Sequence, residues 1–342
     1  MKIITQQDII NTYSKRQQEQ SRLYYEYKRI KRENPEFGYK RISKLLDQPE
    51  HKTRWWNARK HTPVPIQTIN WLKEKELIPL NEDDKRLPLI SRILGTTFGD
   101  GGIDINHNMI FLSSSELKSL EDFKQDFIEI FGKEIEKNFD IRRGGINETS
   151  YCIRNTNRNA IRFFKALGSP IGNKTKQVLR FPEWMGVNQT VEDEFFFSLF
   201  GSEVGIPKCR GGQANTFDIA IGGLPELHEN RYNLMNQIKD YLLTKGIESG
   251  KISINKSKSG KNQHTFIYRL LISTKVENMM NFLKKVRLNY CYYKTDKLKN
   301  TIDEILIIKH KRFRDIEKMY GWNKKIILKV LNVKGKEIPF RE

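Results

Sequence analysis

Two segments of this chain look like the same helix written twice, and the rest is organised around them. The first is Pro88-Leu-Ile-Ser-Arg-Ile-Leu-Gly-Thr-Thr-Phe-Gly-Asp-Gly-Gly102, the second Asp193-Glu-Phe-Phe-Phe-Ser-Leu-Phe-Gly-Ser-Glu-Val-Gly205. Each is an apolar run with small residues four apart and an acid at its end. Gly95 and Gly99 share one face of the first, and Ser198 and Ser202 share the matching face of the second, because residues at i and i+4 lie on one side of a helix. Small side chains there let two helix backbones approach closely, an effect seen most clearly in membranes. Packed along these faces, the two helices bring Asp100 and Glu203 together at their C-terminal ends.

A helix C-terminus presents unpaired carbonyls and partial negative charge, so a carboxylate there is disfavoured by up to about 1 kcal/mol. Two acids converging on two such ends also repel each other. A divalent cation removes both conflicts, since a hard ion such as Mg²⁺ takes carboxylate and carbonyl oxygens together. The plainer alternative is two core helices that happen to end in acids. The matched small residues in both segments favour the cation.

Ile93-Leu-Gly-Thr-Thr-Phe-Gly-Asp-Gly101 and Phe196-Phe-Ser-Leu-Phe-Gly-Ser-Glu-Val204 resemble the paired motifs of the LAGLIDADG homing endonucleases, in the single-chain form that carries both copies. In the second copy Val204 stands where glycine is usual and Ser198 takes the earlier glycine position, while Glu203 keeps the carboxylate. The resemblance covers residues 88–305. It implies that Asp100 and Glu203 are catalytic carboxylates and metal ligands, helped by the carbonyls of Gly99 and Ser202, with two or more Mg²⁺ ions as cofactor. Members of the family often place a basic side chain near the cleavage centre. Lys174-Thr175 and Lys294-Thr295 each follow the closing helix of their half, which implies Lys174 and Lys294 as catalytic lysines that stabilise charge on a phosphate. Solvated surface lysines are the alternative.

Charge points to the same kind of partner. The chain of 342 residues has 61 Lys+Arg against 41 Asp+Glu and a formal net charge of +20, the footprint of a protein that binds a polyphosphate. Its 3 cysteines, Cys152, Cys209 and Cys291, lie far apart without metal-ligand spacing and read as reduced thiols. The segment from Met1 shows no signal-peptide core, and no apolar run approaches the length of a membrane span. The expectation is a soluble protein of a reducing compartment, cytoplasm or organellar matrix, with no membrane partner.

Residues 1–86 read as a separate all-α unit. A charged helix over Ser14–Glu33 is stopped at Pro35. Short helices come next over Gly38–Leu46, Glu50–Lys60 and Pro65–Glu76. Helix, tight turn, helix resembles the helix-turn-helix DNA readers, which implies a recognition helix offering Lys52, Arg54, Asn57, Arg59 and Lys60. Trp55 and Trp56 read as core and wall. Leu80–Arg86 reads as a polar linker.

Beyond the first motif helix the apolar period drops to two, with a strand over Ile103–Ser113, a helix over Glu116–Phe131, strands over Glu134–Arg142 and Thr149–Thr156, and a helix over Asn159–Leu167. The second half repeats that order. The fold class expected is therefore α+β, two pseudo-symmetric αββαββα repeats (87–186 and 187–305) forming a DNA-binding saddle, with a basic extension over 306–342. Arg142, Arg154, Lys251, Lys256, Lys258 and Arg269 are the strand residues expected to touch DNA, being side chains that can read base edges or phosphates. Two short helices around Gly321 are expected over Asp315–Val333.

The resemblance implies a monomeric, Mg²⁺-dependent endonuclease that cuts both strands of a long asymmetric double-stranded DNA site. A non-cleaving transcriptional regulator and an RNA-splicing maturase, with intron RNA as partner, are the alternatives.

Overall fold

The chain is mixed α+β in the computed structural model, which describes residues 2–58, 61–144, 149–257 and 264–320. Strand β1 (Lys2–Ile4) is followed by helices α1 (Gln6–Asn11), α2 (Lys15–Glu33), α3 (Tyr39–Leu45), α4 (Glu50–Asn57) and α5 (Val64–Glu74), then by strand β2 (Leu80–Asn81), which pairs antiparallel with β1. A small core of Leu23, Tyr27, Ile42 and Trp56 lies between α2, α3 and α4. Of the two tryptophans expected as core and wall, Trp56 is the core residue. Trp55 instead stands 50% exposed between the rings of His51 and His61.

The stretch expected as a polar linker is tied down. Leu80 is fully buried in the β1–β2 pair, and the Arg86 guanidinium donates to the carbonyls of Lys75 and Glu76, each at 2.8 Å. Ile4, Ile9, Ile66, Ile69 and Leu72 share one core with Leu87, Ile90 and Ile93. Apolar packing therefore crosses position 86 without a break.

Helix α6 (Leu87–Phe98) leads into β3 (Gly101–Ile103), β4 (Ile110–Ser114), α7 (Leu117–Phe131), β5 (Phe139–Gly144), β6 (Ser150–Asn155) and α8 (Arg158–Ala166). These strands form one antiparallel sheet in the order β3-β4-β6-β5. The strand expected from Glu134 starts only at Phe139, because Lys133–Asn138 is a 3₁₀ turn. That turn buries Ile135 and is held by a Lys124–Glu136 ion pair at 2.6 Å.

Helix α9 (Gln189–Glu203) opens the next run, with β7 (Val204–Gly205), the hairpin β8 (Cys209–Arg210) and β9 (Gln213–Ala214), then β10 (Asp218–Gly223), α10 (His228–Thr244), β11 (Ser249–Lys256), β12 (Phe266–Ile272) and α11 (Val276–Lys285). Its sheet has the order β11-β12-β10-β7. Helix α12 (Tyr292–Tyr320) is a single helix, where a short segment followed by separate helices was expected. Leu298, Ile302 and Ile305, buried at helical spacing, seat it on the core. The expected helix beyond residue 320, with the rest of the basic extension, lies outside the described residues.

The two motif helices pack against each other, as their small residues predict. Ser91 Oγ donates to the Val191 carbonyl across the interface at 2.7 Å. A Cβ on Gly95 would lie 2.9 Å from the Phe195 carbonyl carbon, and one on Gly99 would lie 2.5 Å from Ser202 Oγ. Gly201 is pressed against the backbone of Asn289 instead, and Ser198 is buried beside the Asn289 amide.

Candidate functional site

The ends of α6 and α9 meet beside a cleft of about 70 Å³ lined by Asp100, Ser113, Ser115, Ser202, Cys291 and Tyr293. Asp100 follows Gly99 at the end of α6 and is exposed at the cleft, whereas Glu203, the last residue of α9, is half-buried. The Asp100 charge acts on Glu203. Burial pushes the Glu203 carboxyl up to about 7, with the Asp100 charge adding to the rise and Lys174 and Lys294 opposing it. The Asp100 carboxyl opens on the cleft, yet the protein atoms crowded around the helix ends still desolvate it enough to raise it, again opposed by Lys294 and Lys174. Burial holds the Lys174 ammonium below its usual range, while Glu203 and Asp100 pull it back up.

Each lysine closes one helix end. Lys174 Nζ donates to the Gly99 carbonyl, to Gly101 O at 2.8 Å and to Thr97 O at 3.3 Å. Lys294 Nζ donates to Gly201 O at 2.8 Å and Ser202 O at 2.6 Å. A cation on the last carbonyls of a helix offsets its partial negative charge, typically by about 0.3–1 kcal/mol and up to about 2 when partly buried. The Gly99 and Ser202 carbonyls expected to assist a metal ion therefore already accept from ammonium groups. The two lysines reduce the conflict that two acids at two helix ends would otherwise create.

Neither lysine is held alone. Arg231 is fully buried, and its guanidinium donates to Lys174 O at 2.7 Å, Gln177 O at 2.9 Å and Gly222 O at 3.0 Å. It thus fixes the backbone that carries Lys174. Sequence reading passed over Arg231, although a signal was there: an arginine stands on the core-facing stripe of α10 with Leu234, Met235 and Ile238. On the other side, Glu194 accepts from Arg92 Nε at 2.7 Å, from Asn289 Nδ2 at 2.9 Å and from Arg287. Arg92 also pairs with Asp126 at 3.1 Å, and Tyr290 donates to that same carboxylate. These bonds anchor the 287–290 segment just before the helix that carries Lys294.

A hard cation suits the two acids. Among the described residues no donor hydrogen-bonds Asp100 or Glu203, and no group of three or more His, Cys, Asp and Glu side chains gathers here or elsewhere. Two carboxylates without donors match Mg²⁺, which keeps waters and takes phosphate oxygens in its other positions.

The expected nucleic-acid contacts are dispersed. Arg54 is exposed on α4, but Lys52 is bonded to Gln48 at 2.8 Å and Asn57 accepts from Tyr27 at 3.0 Å. Arg142 and Arg154 share a sheet face and both reach Asp140, at 2.7 and 2.5 Å. Arg269 faces out from the other sheet and pairs with Asp218. Lys251 is exposed on β11, whereas Lys256 lies opposite Phe266 on the face away from Arg269. Arg59, Lys60 and Lys258 lie outside the described residues.

No family model matches the chain. A protein of Pyrococcus abyssi named tRNA-splicing ligase RtcB is 30% identical over 246 residues, 69% of this chain and 26% of that protein. The protein of that name from Methanocaldococcus jannaschii is 32% identical over 242 residues, 66% of this chain and 24% of its own length. The DNA-directed RNA polymerase subunit Rpo1N of the same organism is 27% identical over 263 residues, 72% of this chain and 19% of that subunit. The chain thus spans about a quarter or less of these relatives. A crystal structure of I-DmoI in complex with DNA and Ca superposes with a TM-score of 0.37 at 12% identity, covering 59% of this chain and 91% of that one. Likeness at that level carries no function.

These names correct the family and the reaction read from the motifs. These three relatives are named as splicing ligases and a polymerase subunit, not as homing endonucleases. The homing-endonuclease assignment, the hydrolase class and the double-strand DNA cleavage drawn from it are therefore withdrawn. The physical reason is that small residues four apart report close helix packing, which is what α6 and α9 show, and packing does not specify a reaction.

Proposed function

We propose that this chain is a monomeric nucleic-acid-binding module in which two αββαββα halves, 87–186 and 187–305, form a pseudo-symmetric saddle over the polymer. In this reading Asp100 and Glu203 would hold a divalent cation, Mg²⁺ or Mn²⁺, which would bring positive charge to a bound phosphate backbone. The observation that carries it is the meeting of two donor-free carboxylates and two lysines at the paired helix ends. A cation bound there polarises a phosphate oxygen. The lysines hold the helix-end carbonyls while the acids stay available to the ion. The net charge of +20 draws the polymer in, and Arg54 on α4 adds a phosphate contact outside the saddle. The matched segment recurs as a minor part of proteins with different names. That supports a self-contained module carried within them rather than the seat of either named activity.

The test is binding. Fluorescence anisotropy with a tRNA-like RNA and with duplex DNA, each with and without Mn²⁺, separates the two polymers. The cation should tighten binding to at least one of them, and Asp100→Asn or Glu203→Gln should abolish that gain. Equal Mn²⁺ dependence in the wild type and both variants would refute the centre. Absence of binding to either polymer would refute the module.

A further inference from the structure

A second cationic site lies away from the helix-end centre, where α8 meets the turn after α1. Arg158, Arg162 and Lys165 stand on one side of α8 at i, i+4 and i+7. Arg162 and Lys165 both donate to the Thr12 carbonyl, Lys165 at 3.0 Å, and Lys165 Nζ lies 3.0 Å from His107 Nε2. The Arg162 guanidinium also covers the Tyr13 ring at 4.2 Å. The His107 loop is set by Asp104, whose carboxylate accepts from the backbone N–H of Asn106 and Met109 at 3.2 and 2.8 Å.

Three cations and an imidazole are thus gathered; the Asp104 carboxylate acts on His107 from the loop, where backbone N–H groups already engage it. The charged neighbours acting on Arg162 are Tyr13 and Arg158, and the one acting on Lys165 is Arg162. Like charges brought this close, with two of them half-buried, oppose one another. Capping α1 accounts for one donor of Arg162 and one of Lys165, and the contact with His107 engages Lys165 a second time. A guanidinium has five donors and an ammonium three, so most of the donors are left over, and the exposed Arg158 spends none on Thr12. A doubly charged tetrahedral anion matches such a set, because charge-assisted bonds from arginine to phosphate are strong and two-pronged.

We propose that this seam is an anion site that takes a phosphate group, held by Arg158, Arg162 and Lys165 with His107 at its edge. Occupancy would offset the mutual repulsion of Arg158, Arg162 and Lys165 and so strengthen the existing seam between α8 and the turn at Thr12. The site does not depend on the Asp100–Glu203 centre, and loss of cation binding there leaves it untouched.

Inorganic phosphate titrated into the full chain by calorimetry, with ionic strength held constant by chloride, tests it. The wild type should bind saturably near a 1:1 ratio. Arg158→Glu should weaken binding at least tenfold without changing the circular dichroism spectrum, since Arg158 caps nothing. Arg162→Lys keeps a charge for Thr12 and should weaken binding less. A second arm identifies the source of the phosphate. If a nucleic-acid backbone fills the site, Arg158→Glu lowers the salt slope of polymer binding by about 0.9. If free phosphate fills it, that slope is unchanged while phosphate binding is still lost. No saturable binding by the wild type, or equal phosphate binding by Arg158→Glu, overturns the proposal.

Discussion

Gly95→Ala isolates the contact on which the helix-end centre depends. The added Cβ would sit 2.9 Å from the Phe195 carbonyl carbon and closer still to its oxygen. Carbon atoms rest about 3.5–4.0 Å apart, so α6 and α9 must separate or bend by something near 1 Å. The obstacle is backbone, which has no rotamer to move into. Forcing a methyl into a packed core costs about 1–3 kcal/mol, and a rigid neighbour places this case at the upper end. Replacing glycine by alanine within a helix returns about 1 kcal/mol, leaving a net loss of about 2 kcal/mol. The separation also moves Asp100 away from Glu203, so Mn²⁺ affinity should fall about tenfold or more, as it does when groups that support metal ligands are lost. Urea unfolding gives the first quantity and Mn²⁺ titration followed by electron paramagnetic resonance the second. Gly186→Ala, where a Cβ meets nothing within 4 Å, is the control and should change neither. If Gly95→Ala is as stable as the wild type and binds Mn²⁺ equally, the helices are not held by this contact and the centre is not built on it.

Three further outcomes are expected. Arg231→Met strips the donors from the part-buried carbonyls of Lys174, Gln177 and Gly222 and should cost about 1–3 kcal/mol, the range for an acceptor left unpaired; urea unfolding measures it. Glu203 is held near 7 against an ordinary 4.5, so the folded state binds its proton more tightly than the unfolded state; stability should fall as pH rises from about 4.5 to 7, Glu203→Gln should flatten that slope in melting curves, and Mn²⁺ affinity should rise over the upper part of the same range. Deleting residues 1–86 should unfold the remaining chain by exposing Leu87, Ile90 and Ile93, whereas Arg54→Glu should leave the fold intact and lower the salt slope of polymer binding by about 0.9; circular dichroism and salt-dependent anisotropy check the two.

Much of the fold and part of the centre were legible in the residue order, for reasons that differ from element to element. Helices α2, α7 and α10 repeat apolar residues every three or four positions, and that spacing survives any tertiary context. The pairing of α6 with α9 was legible because small residues at Gly95, Gly99 and Ser202 leave room for a second backbone, whereas Ser198 packs beside Asn289. From that pairing the meeting of Asp100 and Glu203 followed. Lys133–Asn138 was misread as a strand because one buried residue, Ile135, fits either period. Which of Trp55 and Trp56 is core and which is wall was not legible, because burial depends on neighbours that arrive from other parts of the chain.

Residue order by itself determined the two matched helices, the acids at their ends, the mixed α+β class and the large positive charge. These are properties of single segments or of the whole composition. Tertiary structure alone decided which carbonyls Lys174 and Lys294 close, that a buried Arg231 supports one of them, and that Arg154 and Arg269 are paired with acids. It also decided that residues 1–86 share a core with helix α6, and that Arg162 and Lys165 converge on Thr12 with Arg158 alongside. Each of these joins residues far apart in the chain through hydrogen bonds or burial. Such contacts leave no period in the sequence, because a donor's partner is set by where the backbone passes and not by its own neighbours.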